Sequence, residues 1–252
     1  MANEYELPSK KDLFSISLEL YSKADFSRRI EEFLCSDKPD IIIFFTTGMI
    51  TEKFAGDENR ENLPEGSILL PGERALFEKE ELEFLETRAV TDFSCLNVFF
   101  ENGEYTVYIV GDDEKKMRSL MECFKRINPE LTVQGAYYVD PSLSEELKLS
   151  DELIVNEING NAPDILVVMM DSPRQEEWIK ENQSILHAKI CLGMGAVADD
   201  FVSIHKKIPG IIRTFHLEGI YKNLFYGKNK SENRTRRIFY KKLEQYKNKK
   251  EP

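Results

Sequence analysis

What most constrains this chain is an alternation. Short runs rich in β-branched and aromatic residues recur along it, and segments of helical period separate them. Asp40-Ile-Ile-Ile-Phe-Phe-Thr46 reads as a strand buried on both faces, and Ser67–Leu70, Glu104–Val110, Leu131–Gly135, Asp164–Met169 and His187–Gly193 read as further strands. Amphipathic stretches at 112–127, 144–159 and 173–183 lie between them. Strand, helix and strand at this spacing predict βαβ units, which set parallel strands side by side. The expected fold is α/β: a Rossmann-like, mostly parallel sheet flanked by helices.

Capping signals place some of the boundaries. Asp112 or Asp113 can cap the helix that runs to Ile127, and Pro129 stops it after Asn128. Ser172-Pro173 supplies an N-cap with proline at the first helical position, and Glu176 follows four residues later, near capping-box spacing. Residues 90–100 stay open between a strand turning at Asn102-Gly103 and a short helix starting at Asp92. Beyond Ile212 the pattern becomes helical over 214–226, breaks at Gly227-Lys-Asn-Lys230, and resumes as a basic helix over 231–246. The expected division is an α/β body over 1–210 and a basic helical C-terminal appendage over 211–252.

Charge supports that division. The formal sum over 252 residues is −11, the wrong sign for a general nucleic-acid binder. From Lys222 onward, however, eleven Lys and Arg face three Glu, a surplus of eight, so residues 1–221 carry −19. From charge alone, a basic tail on an acidic body reads first as a solvated terminal helix or disordered arm, and otherwise as a tail that meets an anionic surface, lipid or nucleic acid. No apolar run approaches the ~18–20 residues a membrane helix needs, and the polar first ten residues lack a signal-peptide core. The expectation is a cytoplasmic chain that meets the membrane only peripherally. Cys35, Cys95, Cys123 and Cys191 are far apart and form no CxxC pair, so buried free thiols are expected. His187, His205 and His216 have no metal-ligand spacing.

In open α/β sheets, ligands bind outside the carboxyl ends of the strands, so the βα junctions are where chemistry belongs. Thr46-Thr47-Gly48 offers hydroxyls and a glycine for a phosphate or sugar, or simply a helix cap. Gly111-Asp112-Asp113 reads as ordinary capping, since two carboxylates repel a phosphate. At Met169-Met-Asp-Ser-Pro-Arg-Gln-Glu-Glu-Trp178, free helix-start N–H groups and the Arg174 guanidinium form an expected anion site. Gly193-x-Gly195 lets backbone approach a ligand closely, with Asp199 and Asp200 one helical turn later.

Taken in order, these segments resemble the WecG/TagA/CpsF family of bacterial glycosyltransferases. Pro163 to Ile179 is similar to that family's strand ending in Gly-x-Pro-Lys-Gln-Glu-x-Trp, and Gly193-Met-Gly-Ala-Val-Ala-Asp199 to its Gly-Val-Gly-Gly-x-x-Asp. Lys207-Ile-Pro209 and Leu217 to Leu224 follow where the family has Arg-Ala-Pro and Leu-Glu-Trp-Leu-Tyr-Arg-Leu. Upstream, Tyr108-Ile-Val-Gly-Asp112 and Asn128 to Gly135 resemble its Phe-Leu-Leu-Gly-Gly and Tyr-Pro-x-Leu-x-Ile-x-Gly.

The resemblance implies transfer of a sugar, N-acetylmannosamine in the best-known members, from a UDP-sugar to a lipid-diphosphate-linked acceptor at the inner membrane face. It implies that Pro173, Arg174, Gln175, Glu176, Gly193, Gly195 and Asp199 bind the donor. It implies no metal and no cofactor, so cationic side chains would offset the charge of departing UDP. Lys207 at the end of the body, and Arg213, Lys222, Arg234, Arg236 and Arg237 on an appendage that the resemblance implies docks at anionic lipid, are the candidates. The family's Thr-x-Asn becomes Thr46-Thr47-Gly48, which keeps the threonine, and the resemblance implies a catalytic role for Thr46. Its Pro-Asp-Gly, source of the proposed general base, becomes Leu69-Leu-Pro-Gly-Glu-Arg74, leaving Glu73 as the stand-in. The missing aspartate also opens a second reading, a catalytically silent homologue that binds a nucleotide sugar or a partner enzyme. The oligomeric state stays open, a homo-oligomer included.

Overall fold

The structure, a computed structural model, describes residues 9–36, 38–52, 54, 60–85, 89–101, 104–140, 147–205 and 230–250. It opens with an antiparallel hairpin, β1 (Ser9–Leu13) and β2 (Ile16–Leu20), then α1 (Lys23–Leu34). β3 (Asp40–Phe45), α2 (Thr47–Glu52), β4 (Ile68–Pro71), α3 (Lys79–Leu85) and α4 (Leu96–Glu101) follow. Next come β5 (Thr106–Gly111), α5 (Glu114–Ile127), β6 (Thr132–Tyr138), α6 (Leu147–Asn161) and β7 (Ile165–Met169). α7 (Arg174–Asn182), β8 (Ile190–Gly193), α8 (Ala198–Ile204) and α9 (Lys230–Lys250) complete the order.

Six strands form one sheet in the order β4-β3-β8-β7-β5-β6, and every pairing in it is parallel. All five residues of β7 and all four of β8 are buried, because both faces are covered. On one face lie α1, α4, α5 and α8, joined through Phe26, Phe100, Phe124 and Phe201. The other face carries α2, α6, α7 and α9, with Ile50, Ile158, Trp178 and Phe239 in its core. The helices after β3 and β7 therefore fall on one face and those after β8 and β5 on the other. That alternation opens a crevice at the carboxyl edge, centred on β3, β8 and β7.

The six expected strands are present, with ends shifted by up to three residues. The open stretch resolves as a helix: Asp92 caps a 3₁₀ turn at Phe93–Cys95 by accepting Ser94 N–H at 2.9 Å, and α4 continues from it. The hairpin and α1 escaped the sequence reading. Phe14 and Ser15 occupy its turn at φ 51° and 63°, a left-handed conformation that costs about 1–2 kcal/mol for a residue with a Cβ. Burial offsets it, since the Phe14 ring packs on Phe239 (centroids 6.0 Å apart) and Tyr246 (5.1 Å) of α9. The basic helix is thus seated in the body's core: Phe239 is fully buried and Leu243 nearly so. The helix expected over 214–226 lies outside the described residues.

Two smaller corrections concern polar positions. Ser172 does not cap α7; Pro173 stands at the cap position without a side-chain bond, after a cis Ser172–Pro173 peptide. Three thiols are buried as expected and pushed upward by burial, Cys123 to about 11 and Cys191 to about 12, but Cys35 is exposed at the end of α1.

Candidate active site

Two adjoining hollows share Gly48 and Ala196 and make one cleft at the carboxyl edge. One, of ≈ 320 Å³, is lined by Gly48, Met49, Glu52, Asp171, Ser172 and Ala196. The other, of ≈ 220 Å³, adds Thr46, Thr47, Glu73, Asp200 and Thr235. The strand order brings together residues from the ends of β3, β4, β7 and β8, with Thr235 contributed by α9.

Thr46 closes β3 and caps α2: its carbonyl accepts Ile50 N–H at 3.1 Å and its Oγ1 accepts Met49 N–H at 3.3 Å. The Glu73 carboxylate reaches over from the turn after β4 and accepts Thr47 N–H at 2.5 Å. Thr46 and Glu73, singled out for catalysis, therefore face one cavity. The turn that carries Glu73 is held from α9, because Tyr240 Oη lies 3.0 Å from both the Ala75 and Phe77 carbonyls. Lys242 Nζ binds the carbonyl of Thr51, near the end of α2, at 2.9 Å.

The residues assigned to the donor divide. Gln175 and Glu176 are buried, and their polar atoms meet other protein groups. Gln175 Nε2–H donates to Glu176 Oε1 at 3.0 Å, Ser172 Oγ–H donates to Glu176 Oε2 at 2.7 Å, and Gly195 N–H donates to Gln175 Oε1 at 2.8 Å. Burial pushes the Glu176 carboxyl above its ordinary range, against the pull of the Ser172 and Gln175 bonds. Gly193 and Gly195 are close-approach positions. A Cβ on Gly195 would sit 2.0 Å from the Met170 carbonyl oxygen, and one on Gly193 would sit 2.8 Å from Gln175 Nε2. Arg174 turns toward Asp112, with 3.7 Å between Nη1 and Oδ2, and the exposed Asp199 pairs with Lys116 Nζ at 3.1 Å.

Of the expected cations, Lys207, Arg213 and Lys222 lie outside the described residues. Arg234 and Arg237 are exposed on α9 and Arg236 is half-buried there. The Arg236 charge acts on Tyr240, drawing its hydroxyl down against the larger, upward effect of burial. Among the described residues, no group of three His, Cys, Asp or Glu side chains is arranged to hold a metal ion. No described helix is long and apolar enough to cross a membrane. Sequence reasoning missed Thr235, Tyr240 and Lys242. Only the stripe Phe239, Leu243 and Tyr246, at spacings of four and three, marks α9 as a helix with a face to bury.

Comparison with known proteins adds an independent line. The profile of the Glycosyl transferase WecG/TagA/CpsF family matches residues 12–225. An N-acetylglucosaminyldiphosphoundecaprenol N-acetyl-beta-D-mannosaminyltransferase of Staphylococcus aureus (strain MRSA252) is 32% identical over 156 residues. Its namesake from strain NCTC 8325 / PS 47 is 26% identical over 156 residues. Each alignment covers 62% of this chain and 58% of the relative's length. A family match that runs from β1 through the cleft junctions and past α8 has one reading: this chain belongs to the WecG/TagA/CpsF family of glycosyl transferases.

Proposed function

We propose that the chain moves an N-acetylmannosamine-like sugar from a UDP-sugar to a lipid-diphosphate-linked sugar acceptor. The observation that carries this reading is Glu73, a carboxylate on the wall of the cleft that also holds Thr46, Gly48 and Ala196. In such a reaction Glu73 takes the proton of the acceptor hydroxyl, and the resulting oxygen attacks the anomeric carbon. The bond from that carbon to the UDP oxygen breaks, and UDP departs with the electron pair. The relatives' names, which describe mannosaminyl transfer to N-acetylglucosaminyldiphosphoundecaprenol, support the choice of sugar and acceptor.

The cleft lining includes Glu52, Glu73, Asp171 and Asp200, so a diphosphate there needs cations close by. Arg236, with Lys207, Arg213 and Lys222 from the segment before α9, is proposed to supply them. In this reading α9 presents Arg234 and Arg237 to anionic lipid while its other face holds the site, and the protein works peripherally at the cytoplasmic membrane face. Calorimetric titration with UDP and UDP-sugars, with and without Mg²⁺, tests the assignment: binding is expected, and a flat titration with all of them overturns it.

The silent-homologue reading draws on one observation, the Pro-Gly-Glu sequence where the family has Pro-Asp-Gly. Turnover with a lipid-diphosphate N-acetylglucosamine acceptor separates it from the enzyme reading.

A further inference from the structure

Gln175 and Glu176 are oddly placed for ligands. Gln175 is 1% exposed and Glu176 0% exposed, yet one is an amide and the other a carboxylate. Burying a carboxylate is costly, and an apolar residue of similar size at position 176 would serve packing better. What the carboxylate adds is direction. Ionised, it only accepts hydrogen bonds, and a glutamine amide has one donor end and one acceptor end. With Glu176 Oε1 on one side, the Gln175 NH₂ must turn toward it, and the reverse orientation would set oxygen against oxygen. That leaves Gln175 Oε1 for the Gly195 N–H, 2.8 Å away.

The two ends of this chain of bonds lie at the cleft. Ser172, which donates to Glu176, lines it, and Gly195 precedes Ala196, which lines both hollows. The glycine segment has little room to settle elsewhere, since the Gly195 Cα faces the Met170 carbonyl so closely that a Cβ would reach 2.0 Å from it. We propose that Glu176 is a positioning residue: it orients the Gln175 amide, which in turn pins the Gly193–Ala196 segment against the Asp171–Ser172 turn, so that neither side chain contacts the donor. The link to donor binding rests on the reading of the cleft as a nucleotide-sugar site; the pinning of Gly195 does not.

Amide hydrogen exchange on the ligand-free protein reads the pinning, and UDP titration reads its consequence. Glu176→Ala should speed exchange of the Gly195 amide about tenfold, the loss of one hydrogen bond, while amides within α7 and β8 keep their protection. UDP affinity should fall by a similar factor. Glu176→Gln should restore both readouts, because its Oε1 still accepts from Gln175 and its NH₂ donates to the Ser172 oxygen. Gln175→Met, close in shape but without either amide end, should match Glu176→Ala and serves if that variant does not fold. A purely structural role would release α7, β8 and Gly195 together, and that result overturns the proposal. So does unchanged Gly195 exchange in Gln175→Met. If the wild-type protein binds no UDP, the functional reading fails, while the exchange data still decide the pinning.

Discussion

At the β5 junction, the bond that starts the next helix closes locally: Asp113 Oδ1 accepts Lys116 N–H at 3.0 Å, and α5 begins. At the junctions of β3, β4, β7 and β8, local bonds such as the Thr46 cap of α2 are joined by stronger ones that leave their own turn, where β5 offers only the long Asp171 N–H to Asp112 Oδ2 contact of 3.4 Å. Glu73 holds an N–H 26 residues earlier, and Gln175 holds one 20 residues later. The contrast separates two uses of the same polar residue types. A local cap stabilises one helix, whereas a bond between junctions fixes the distance between two walls of a cavity. The cleft lies where the second kind gathers.

If that contrast is functional, the largest effect belongs to Glu73→Gln. The amide oxygen still accepts from Thr47, so UDP affinity should stay within about threefold, while turnover falls about 10²- to 10⁴-fold for loss of a general base. A steady-state assay checks this, and an unchanged rate removes Glu73 as the base. Phe239→Ala should come next, costing about 3–5 kcal/mol in urea unfolding, because the ring is fully buried between Phe14 and the body. A cost below 1 kcal/mol would mean that α9 is a separable appendage and not part of the cleft's support.

A pair of substitutions tests the contrast directly. Gly195→Ala forces backbone apart at a junction-spanning bond, and should cost about 1–3 kcal/mol of stability together with UDP affinity. Asp113→Ala removes a local cap, and should cost about 1 kcal/mol while leaving UDP affinity alone. Equal effects of the two on affinity would erase the distinction between the halves. The smallest effect is a pH slope. Burial holds the Glu176 carboxyl above its ordinary value of 4.5, so the folded chain binds that proton more tightly than the unfolded chain. Its contribution favours folding at low pH and is lost as pH rises from about 4.5 through the folded pKa. Glu176→Gln does not titrate. Its stability relative to wild type should therefore rise across that window and level off above it, as measured by urea unfolding at a series of pH values. A difference that is flat with pH would show that Glu176 titrates normally.

Several features were legible because their signals are short-range. The runs at 40–46 and 164–169 are too apolar for half-exposed strands, and both became buried parallel strands. The Asp113 cap and the stop at Asn128-Pro129 involve neighbours within four residues. The motif around Gln175 and Glu176 was visible as a motif, but its geometry was not. Ser172, four residues before Glu176, resembled a helix cap and instead turned its hydroxyl to that carboxylate. The β1–β2 hairpin gave little warning, because its turn is Phe14-Ser15 and not the Asn-Gly or Asp-Gly that usually announces a tight hairpin.

By itself, then, the sequence determined the α/β class, the run of βαβ units, and the family pattern carried by the motifs from Tyr108 to Leu224. Periodicity and capping act within one helical turn or one strand, where chain connectivity already supplies the neighbours. Only the tertiary structure decided that β8 inserts between β3 and β7, which brings Thr46, Glu73, Ser172 and Ala196 to one cavity. It alone decided that α9, lysine-rich and easily taken for a solvated tail, buries Phe239 and ties down the turn that carries Glu73. Such contacts join residues from 20 positions apart, Gln175 and Gly195, to 232 apart, Phe14 and Tyr246. At such separations composition says what can pair, and strand order decides what does.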